Sequence, residues 1–235
     1  MATQVLPEVV CTIENRPPYR GELSSSFLNV LRGLDWPSRE ASARLRTLAL
    51  TSSCRGEGVS TLAAHLAATA AACDAGPVLL VDGNLDRPTL HELFSLSPRP
   101  GLTECLAQRE RWPRCIGPSC FANLSVLGAG QLPGSAARWC QCRGLPELVE
   151  ELSHEFELVV FDLPPVGQQS CLSRLARLLD AVLLVVEAQR VCCDTVQRAK
   201  ELLVCAEAPL AGVLLNKHHQ RLAGRPRRTV SDEIA

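Results

Sequence analysis

Leu48-Ala49-Leu50-Thr51-Ser52-Ser53-Cys54-Arg55-Gly56-Glu57-Gly58-Val59-Ser60-Thr61-Leu62-Ala63-Ala64 is the stretch whose reading decides the fold. A short apolar run, Thr47–Thr51, leads into a turn carrying two glycines, and an alanine-rich helix, Thr61–Cys73, follows. Gly56 and Gly58 permit a tight turn in which successive backbone N–H groups can surround an anion. A helix starting near Val59 would aim the positive end of its dipole at the same place. A working phosphate loop of this kind carries a lysine just before its Ser/Thr pair; the serine hydroxyl holds magnesium and the lysine reaches the outer phosphates. Here Ser60 and Thr61 keep the hydroxyl positions, and Val59 stands where the lysine belongs.

Two further segments give this turn its context. Pro77–Asp82 is a continuous apolar run ending in an acidic loop, Val81-Asp82-Gly83-Asn84-Leu85-Asp86-Arg87-Pro88. Leu158–Asp162 is another, followed by Leu163-Pro164-Pro165-Val166. Unbroken apolar strands belong to parallel sheets buried on both faces, and ligands of such sheets sit beyond the carboxyl ends of the strands. Asp82 and Asp162 are thus placed where a magnesium ion, held directly or through water, would meet Ser60. Read alone, each aspartate is also an ordinary turn former or helix cap.

Outward from these motifs the chain alternates strands and helices. Short helices are expected at Leu90–Leu93 and Leu102–Ala107. Cys115–Arg143 reads as a proline-, glycine- and cysteine-rich region around one strand, Leu124–Leu127. Helix Leu145–Glu155, helix Cys171–Leu179, strand Ala181–Val186, helix Thr195–Ala206 and strand Gly212–Asn216 complete the series. The fold class is α/β, a doubly wound, mostly parallel sheet flanked by helices, like that of P-loop NTPases. An N-terminal arm, 1–43, holds one amphipathic helix, Glu22–Leu34; the domain spans 44–217; 218–235 is a basic, flexible tail.

Composition narrows the function. The chain of 235 residues is 46% hydrophobic with a formal net charge of -1, so nothing global points to a nucleic acid partner. Met1–Arg20 lacks the apolar core of a signal peptide, and the apolar runs are far shorter than the roughly 20 residues of a membrane span, so a cytoplasmic location is expected. Twelve cysteines are scattered. Cys115, Cys120, Cys140 and Cys142 match no familiar zinc spacing and read as plain thiols. The run Lys217, His218, His219, Arg221, Arg225, Arg227 and Arg228 reads as a solvated terminus. Near anionic lipid it would attract the membrane surface by about 1 kcal/mol per basic residue.

Taken together, the three motifs resemble the bacterial tyrosine autokinases of capsule and exopolysaccharide biosynthesis, in the deviant-Walker, MinD/ParA-like group. The family loop T-S-x-x-x-G-E-G-K-S-T is matched from Thr51 to Thr61 except at Val59. V-D-A-D-L-R-x-P is matched by Val81, Asp82, Leu85 and Pro88, with Asn84 at the second acid and Asp86 at the arginine beside Arg87. I-D-T-P-P-V is matched by Asp162, Pro164, Pro165 and Val166. The likeness runs from about Glu22 to Lys217. It implies ATP or ADP with Mg2+ as cofactors: Arg55, Gly56, Glu57, Gly58, Val59, Ser60, Thr61, Arg87 and Asn216 would surround the nucleotide. Ser60, Asp82 and Asp162 would hold the magnesium, and the two aspartates would carry any catalysis that remains.

The departures fall on chemical positions. His65 stands at a usual asparagine, and Ser25 and Leu28 at arginines that follow an acid in the family's assembly helix. The only tyrosine is Tyr19, so the tail has no tyrosine cluster to phosphorylate. Phosphoryl transfer depends almost wholly on positioning and charge neutralisation, and a lost charge-stabilising donor costs on the order of 100- to 1000-fold in rate. The resemblance therefore implies a non-catalytic or weakly nucleotide-binding relative, a regulatory or assembly partner in polysaccharide export. Its partner would be the cytoplasmic face of a membrane co-polymerase or an active kinase paralogue, with a homo-oligomer among the implied assemblies, peripheral to the inner membrane. Two alternatives stay open. One is an active ATP-dependent kinase using Arg55 in place of the lysine, with Tyr19 or a partner as acceptor. The other is a ParA-like accessory ATPase, against which Pro164-Pro165 and Gly101–Leu106 weigh.

Overall fold

The computed structural model describes residues 25–37, 44–131, 133–167 and 172–217. Strand β1 (Thr47–Ser52) leads to α2 (Val59–Ala72) and β2 (Val78–Asp82), preceded by α1 (Ser25–Gly33). Short helices α3 (Leu90–Leu93) and α4 (Leu102–Leu106) come before strands β3 (Ile116–Pro118) and β4 (Leu124–Leu127). Then follow α5 (Ala136–Cys140), α6 (Gly144–Glu155), β5 (Leu158–Asp162), α7 (Leu172–Ala176), β6 (Ala181–Glu187), α8 (Cys193–Cys205) and β7 (Leu210–Asn216).

The strands form one seven-stranded sheet in the order β3-β4-β2-β5-β1-β6-β7, parallel except for the β3–β4 pair. Every residue of β1, β2 and β5 is buried, as a sheet covered on both faces demands. Alternation divides the side chains between two cores. Leu48, Leu50, Leu80, Val160 and Leu183 pack under α1 and α2 with Phe27, Leu31, Leu62 and Leu66. Ala49, Leu79, Val81, Val159, Phe161 and Leu184 face the other way, onto Leu152 of α6 and Leu203 of α8. His65 of α2 stacks on Phe27 of α1, with ring centroids 5.3 Å apart and planes 9° from parallel.

This is the doubly wound α/β architecture read from the sequence, with differences of detail. Strand β3 and helix α5 lie inside the stretch read as irregular around a single strand. Both are too short to carry a periodicity; α5 is fixed locally by Ser135, whose hydroxyl accepts the Arg138 N–H. Helix α2 begins at Val59 rather than Thr61, and β7 begins at Leu210. Tyr19, Glu22, Cys171 and the tail from His218 onward lie outside the described residues.

The order of the strands positions the site. From β1 the chain crosses over β5 to reach β2, whereas from β5 it crosses over β1 to reach β6. The windings diverge at the adjacent carboxyl ends of β1 and β5, where such sheets open a crevice.

Candidate functional site

A cleft of about 620 Å³ opens at that crevice. It is lined by Arg55, Gly56, Glu57, Gly58, Val59, Ser60 and Thr61 from the glycine loop, Arg87 from the loop after β2, and Asp162 from the end of β5. Nine of the eleven residues singled out in the sequence thus meet around one hollow, while Asp82 and Asn216 do not line it. Asn84, Asp86, Thr89, Glu92, Pro164 and Pro165 complete the wall.

The loop is held by its own residues. Glu57 is fully buried, and its carboxylate accepts the Cys54 N–H at 2.6 Å, the Ser53 hydroxyl at 2.9 Å and the Glu187 N–H at 2.9 Å. Its carboxylate therefore staples the loop to β6. Gly58 caps α2 at φ 92° with no side-chain hydrogen bond. A Cβ there would stand 2.4 Å from Asn216 Nδ2, which donates to the Glu57 carbonyl at 2.7 Å. Asn216 is consequently a brace behind the loop. Gly58→Ala is expected to destabilise the fold by about 1–3 kcal/mol, through strain at positive φ and the displaced Asn216. Urea unfolding checks this; a loss under about 0.5 kcal/mol would contradict it.

Val59 is 9% exposed and packs into the core beneath α2. The position where a phosphate-gripping ammonium would stand is an apolar plug at the first turn of the helix.

The two aspartates sit side by side, paired in register across β2 and β5, both fully buried. Asp82 accepts the Thr89 and Leu90 N–H groups at 3.0 Å each and the Asn84 N–H at 3.2 Å. It organises the loop leading to α3, behind the wall. Burial pushes its carboxyl up to about 6, opposed by those backbone donors and by His91. Asp162 differs. Burial, reinforced by the charge of Asp82, pushes it up to about 8, while the Ser60 hydroxyl acts in the opposite direction. Yet neither Asp162 oxygen has a hydrogen-bond partner of good geometry among the described residues. A buried carboxylate in this condition is stabilised by a proton or by a cation. A divalent ion with hard oxygen preferences would fit Asp162 and Ser60; the Asp82 oxygens beside them accept three backbone N–H groups.

Sequence reading missed a set of charges on the far side of the loop. Glu187, at the end of β6, pairs with Arg190 at 2.6 Å and with Lys217 at 3.1 Å. Arg190 donates to the Arg55 carbonyl at 3.0 Å, and Lys217 to the Gly56 carbonyl at 3.1 Å. Arg190 first, then Lys217, holds the Glu187 carboxylate below its ordinary range. Lys217, read as the start of a solvated basic run, is instead a contact of the loop. The available signal was that Glu187 and Lys217 occupy strand ends on the side where ligands bind.

No family model matches the chain. It is 31% identical over 173 residues to the tyrosine-protein kinase YwqD of Bacillus subtilis (strain 168), covering 74% of this chain and 73% of that protein. The crystal structure of the chimerical protein CapA2B2 superposes with a TM-score of 0.81 at 26% identity, over 91% of this chain and 95% of that one. The septum site-determining protein MinD of Pyrococcus horikoshii OT3, solved with Mg-ADP, superposes with a TM-score of 0.62 at 23% identity, over 77% of this chain and 74% of that one. At that identity the likeness speaks for the P-loop NTPase fold alone. With its glycine loop, its two strand-end aspartates and this relative spanning most of both chains, the protein belongs to the bacterial tyrosine-kinase family of capsule and exopolysaccharide biosynthesis.

Proposed function

We propose that this chain is a member of the family that has lost efficient phosphoryl transfer, binds Mg-nucleotide weakly, and acts as a regulatory or assembly partner in polysaccharide export. One observation carries the reading: Val59 fills the lysine position with a packed apolar side chain, while the hollow beside it keeps Ser60 and an unsatisfied Asp162. The cleft thus retains the means to hold a phosphate and a divalent cation, but not the ammonium that neutralises charge as a phosphoryl group leaves. ATP or ADP with Mg2+ is the ligand this combination suits; the MinD neighbour was solved with Mg-ADP. Ser60 and Asp162 would hold the ion, which would neutralise phosphate charge when bound. The glycine loop would orient the phosphates through its N–H groups, and Pro164 and Pro165 would shape the opposite wall.

The proposed partner is the cytoplasmic face of a membrane co-polymerase, or an active kinase of the same pathway, with the chain held peripherally. No helix among the described residues is long and apolar enough to cross a membrane, so membrane proximity on this reading comes through that partner. Purified protein incubated with radiolabelled Mg-ATP is expected to show no phosphate transfer to itself above background, and to be retained by the co-polymerase in a pulldown. Robust turnover would refute the loss of catalysis, and absence of retention would refute the partnership. A second reading is favoured by one observation: Arg55 lines the cleft and could neutralise phosphate charge from the loop itself. Label transfer abolished by both Arg55→Ala and Asp162→Ala would support that active kinase.

A further inference from the structure

The glycine loop presents its carbonyl groups to one side in an unusual concentration. The carbonyl of Arg55 accepts from Arg190, that of Gly56 from Lys217 and that of Glu57 from Asn216. Three consecutive peptide oxygens are thus tied to donors behind the loop. In a trans peptide unit the carbonyl and the following N–H point in opposite directions. Fixing these oxygens outward turns the N–H groups of Gly56, Glu57 and Gly58 toward the other side, where the same three residues line the cleft. Gly56 and Gly58 both have positive φ, 81° and 92°, flanking Glu57, the kind of alternation that makes a concave nest of N–H groups for an anion.

The two cations are themselves located. Glu187 bridges them, and a Cβ on Gly56 would come within 3.2 Å of Arg190 Nη1, so the guanidinium lies directly against the loop. We infer that Arg190 and Lys217, joined by Glu187, are positioning residues that preform the loop as a phosphate nest from behind and lend it positive charge there, in partial substitution for the lysine replaced by Val59. Neither residue lines the cleft, and neither is a catalytic residue. The inference rests on the proposed weak nucleotide binding and deepens it: affinity should follow the phosphate groups and not the base.

The test is calorimetric titration of the full chain with inorganic pyrophosphate and with Mg-ADP. Wild type is set beside Arg190→Gln, Lys217→Met, the double variant, and the charge-conserving Arg190→Lys and Lys217→Arg. Exposed, charge-assisted hydrogen bonds of this kind are expected to weaken both ligands by about three- to tenfold for each neutral variant, and by more for the pair. The conservative variants should recover most of the loss, and thermal midpoints should change little. Affinities unaltered by the neutral variants would overturn the inference while leaving weak nucleotide binding intact. Pyrophosphate binding that appears only after Val59→Lys would also overturn it, by showing that the loop cannot hold phosphate without its own ammonium. Failure of every protein, Val59→Lys included, to bind would remove the proposed nucleotide site as well.

Discussion

Val59→Lys is expected to tighten Mg-ATP binding by about ten- to a hundredfold. A hydrogen bond to a charged group contributes about 1.5–3 kcal/mol when the surroundings are preformed. Gly58 and Ser60 on either side of position 59 both line the cleft, as does Asp162, so an ammonium entering the hollow would find phosphate and carboxylate partners nearby. The substitution has a cost in the absence of ligand. Val59 is almost fully buried, and its removal forfeits about 1–2 kcal/mol of apolar burial. A cation in the first turn of α2 also opposes the helix dipole by about 0.3–1 kcal/mol. The variant should therefore melt earlier than wild type when empty and gain more from Mg-ATP. Val59→Met, which keeps the apolar character, should show no gain in affinity. Turnover should rise less than affinity, because Asn84 still stands at the second acidic position of the middle motif. Equal Mg-ATP affinities for Val59→Lys and Val59→Met would contradict this account of the loop.

Asp162→Asn is expected to stabilise the magnesium-free protein at pH 8 by on the order of a few kcal/mol while changing little at pH 4. Both buried aspartates have carboxyls pushed upward, Asp82 to about 6 and Asp162 to about 8, chiefly by burial. A group raised in the folded state binds its proton more tightly there than in the unfolded chain. Its favourable contribution is complete below the unfolded value near 3.9 and is lost as pH rises through the folded value. The magnesium-free protein should accordingly lose stability between about pH 4 and pH 8. Asparagine at position 162 resembles the protonated acid and removes the larger part of that slope. Magnesium should act in the opposite sense, stabilising wild type most at high pH, where the carboxylate is ionised, and stabilising Asp162→Asn little at any pH. Urea midpoints across this range, with and without Mg2+, give the comparison. A wild type whose stability rises steadily from pH 5 to pH 8 without magnesium would contradict the burial of an unsatisfied carboxylate.

Much of the scaffold was legible because its signals are local and strong. Leu48–Leu50, Leu79–Val81 and Val159–Phe161 are uninterrupted apolar runs, and only a sheet covered on both faces buries every residue of such a run. The glycines of the loop and the aspartates closing two strands gave the order of the motifs, and the fold brought Arg55 through Thr61, Arg87 and Asp162 to one cleft. What stayed hidden depends on direction and distance. The sequence places Asp82 and Asp162 at equivalent strand ends, yet among the described residues Asp82 turns to three backbone N–H groups and Asp162 to none, a difference set by the loop to α3. Asn216 ends a strand, as expected of a ligand contact, but Gly58 leaves room for it only behind the loop. Lys217 is adjacent to a basic run and was indistinguishable from it by composition, since its partners, Gly56 and Glu187, are far away in the chain. Strand β3 is three residues long and includes Gly117, where a Cβ would lie 2.7 Å from Leu96. Such a close approach is a tertiary requirement that no periodicity records.

The central claim is that the hollow formed by the glycine loop and Asp162 receives phosphate and a divalent ion but lacks the ammonium that makes binding tight. Side-by-side calorimetric titration of wild type and Val59→Lys with Mg-ADP addresses it most directly. The expected result is weak but saturable binding by wild type, at least about tenfold tighter binding by Val59→Lys, and loss of both on Asp162→Ala. Tight Mg-ADP binding by wild type, unimproved by the lysine and indifferent to Asp162, would contradict the claim.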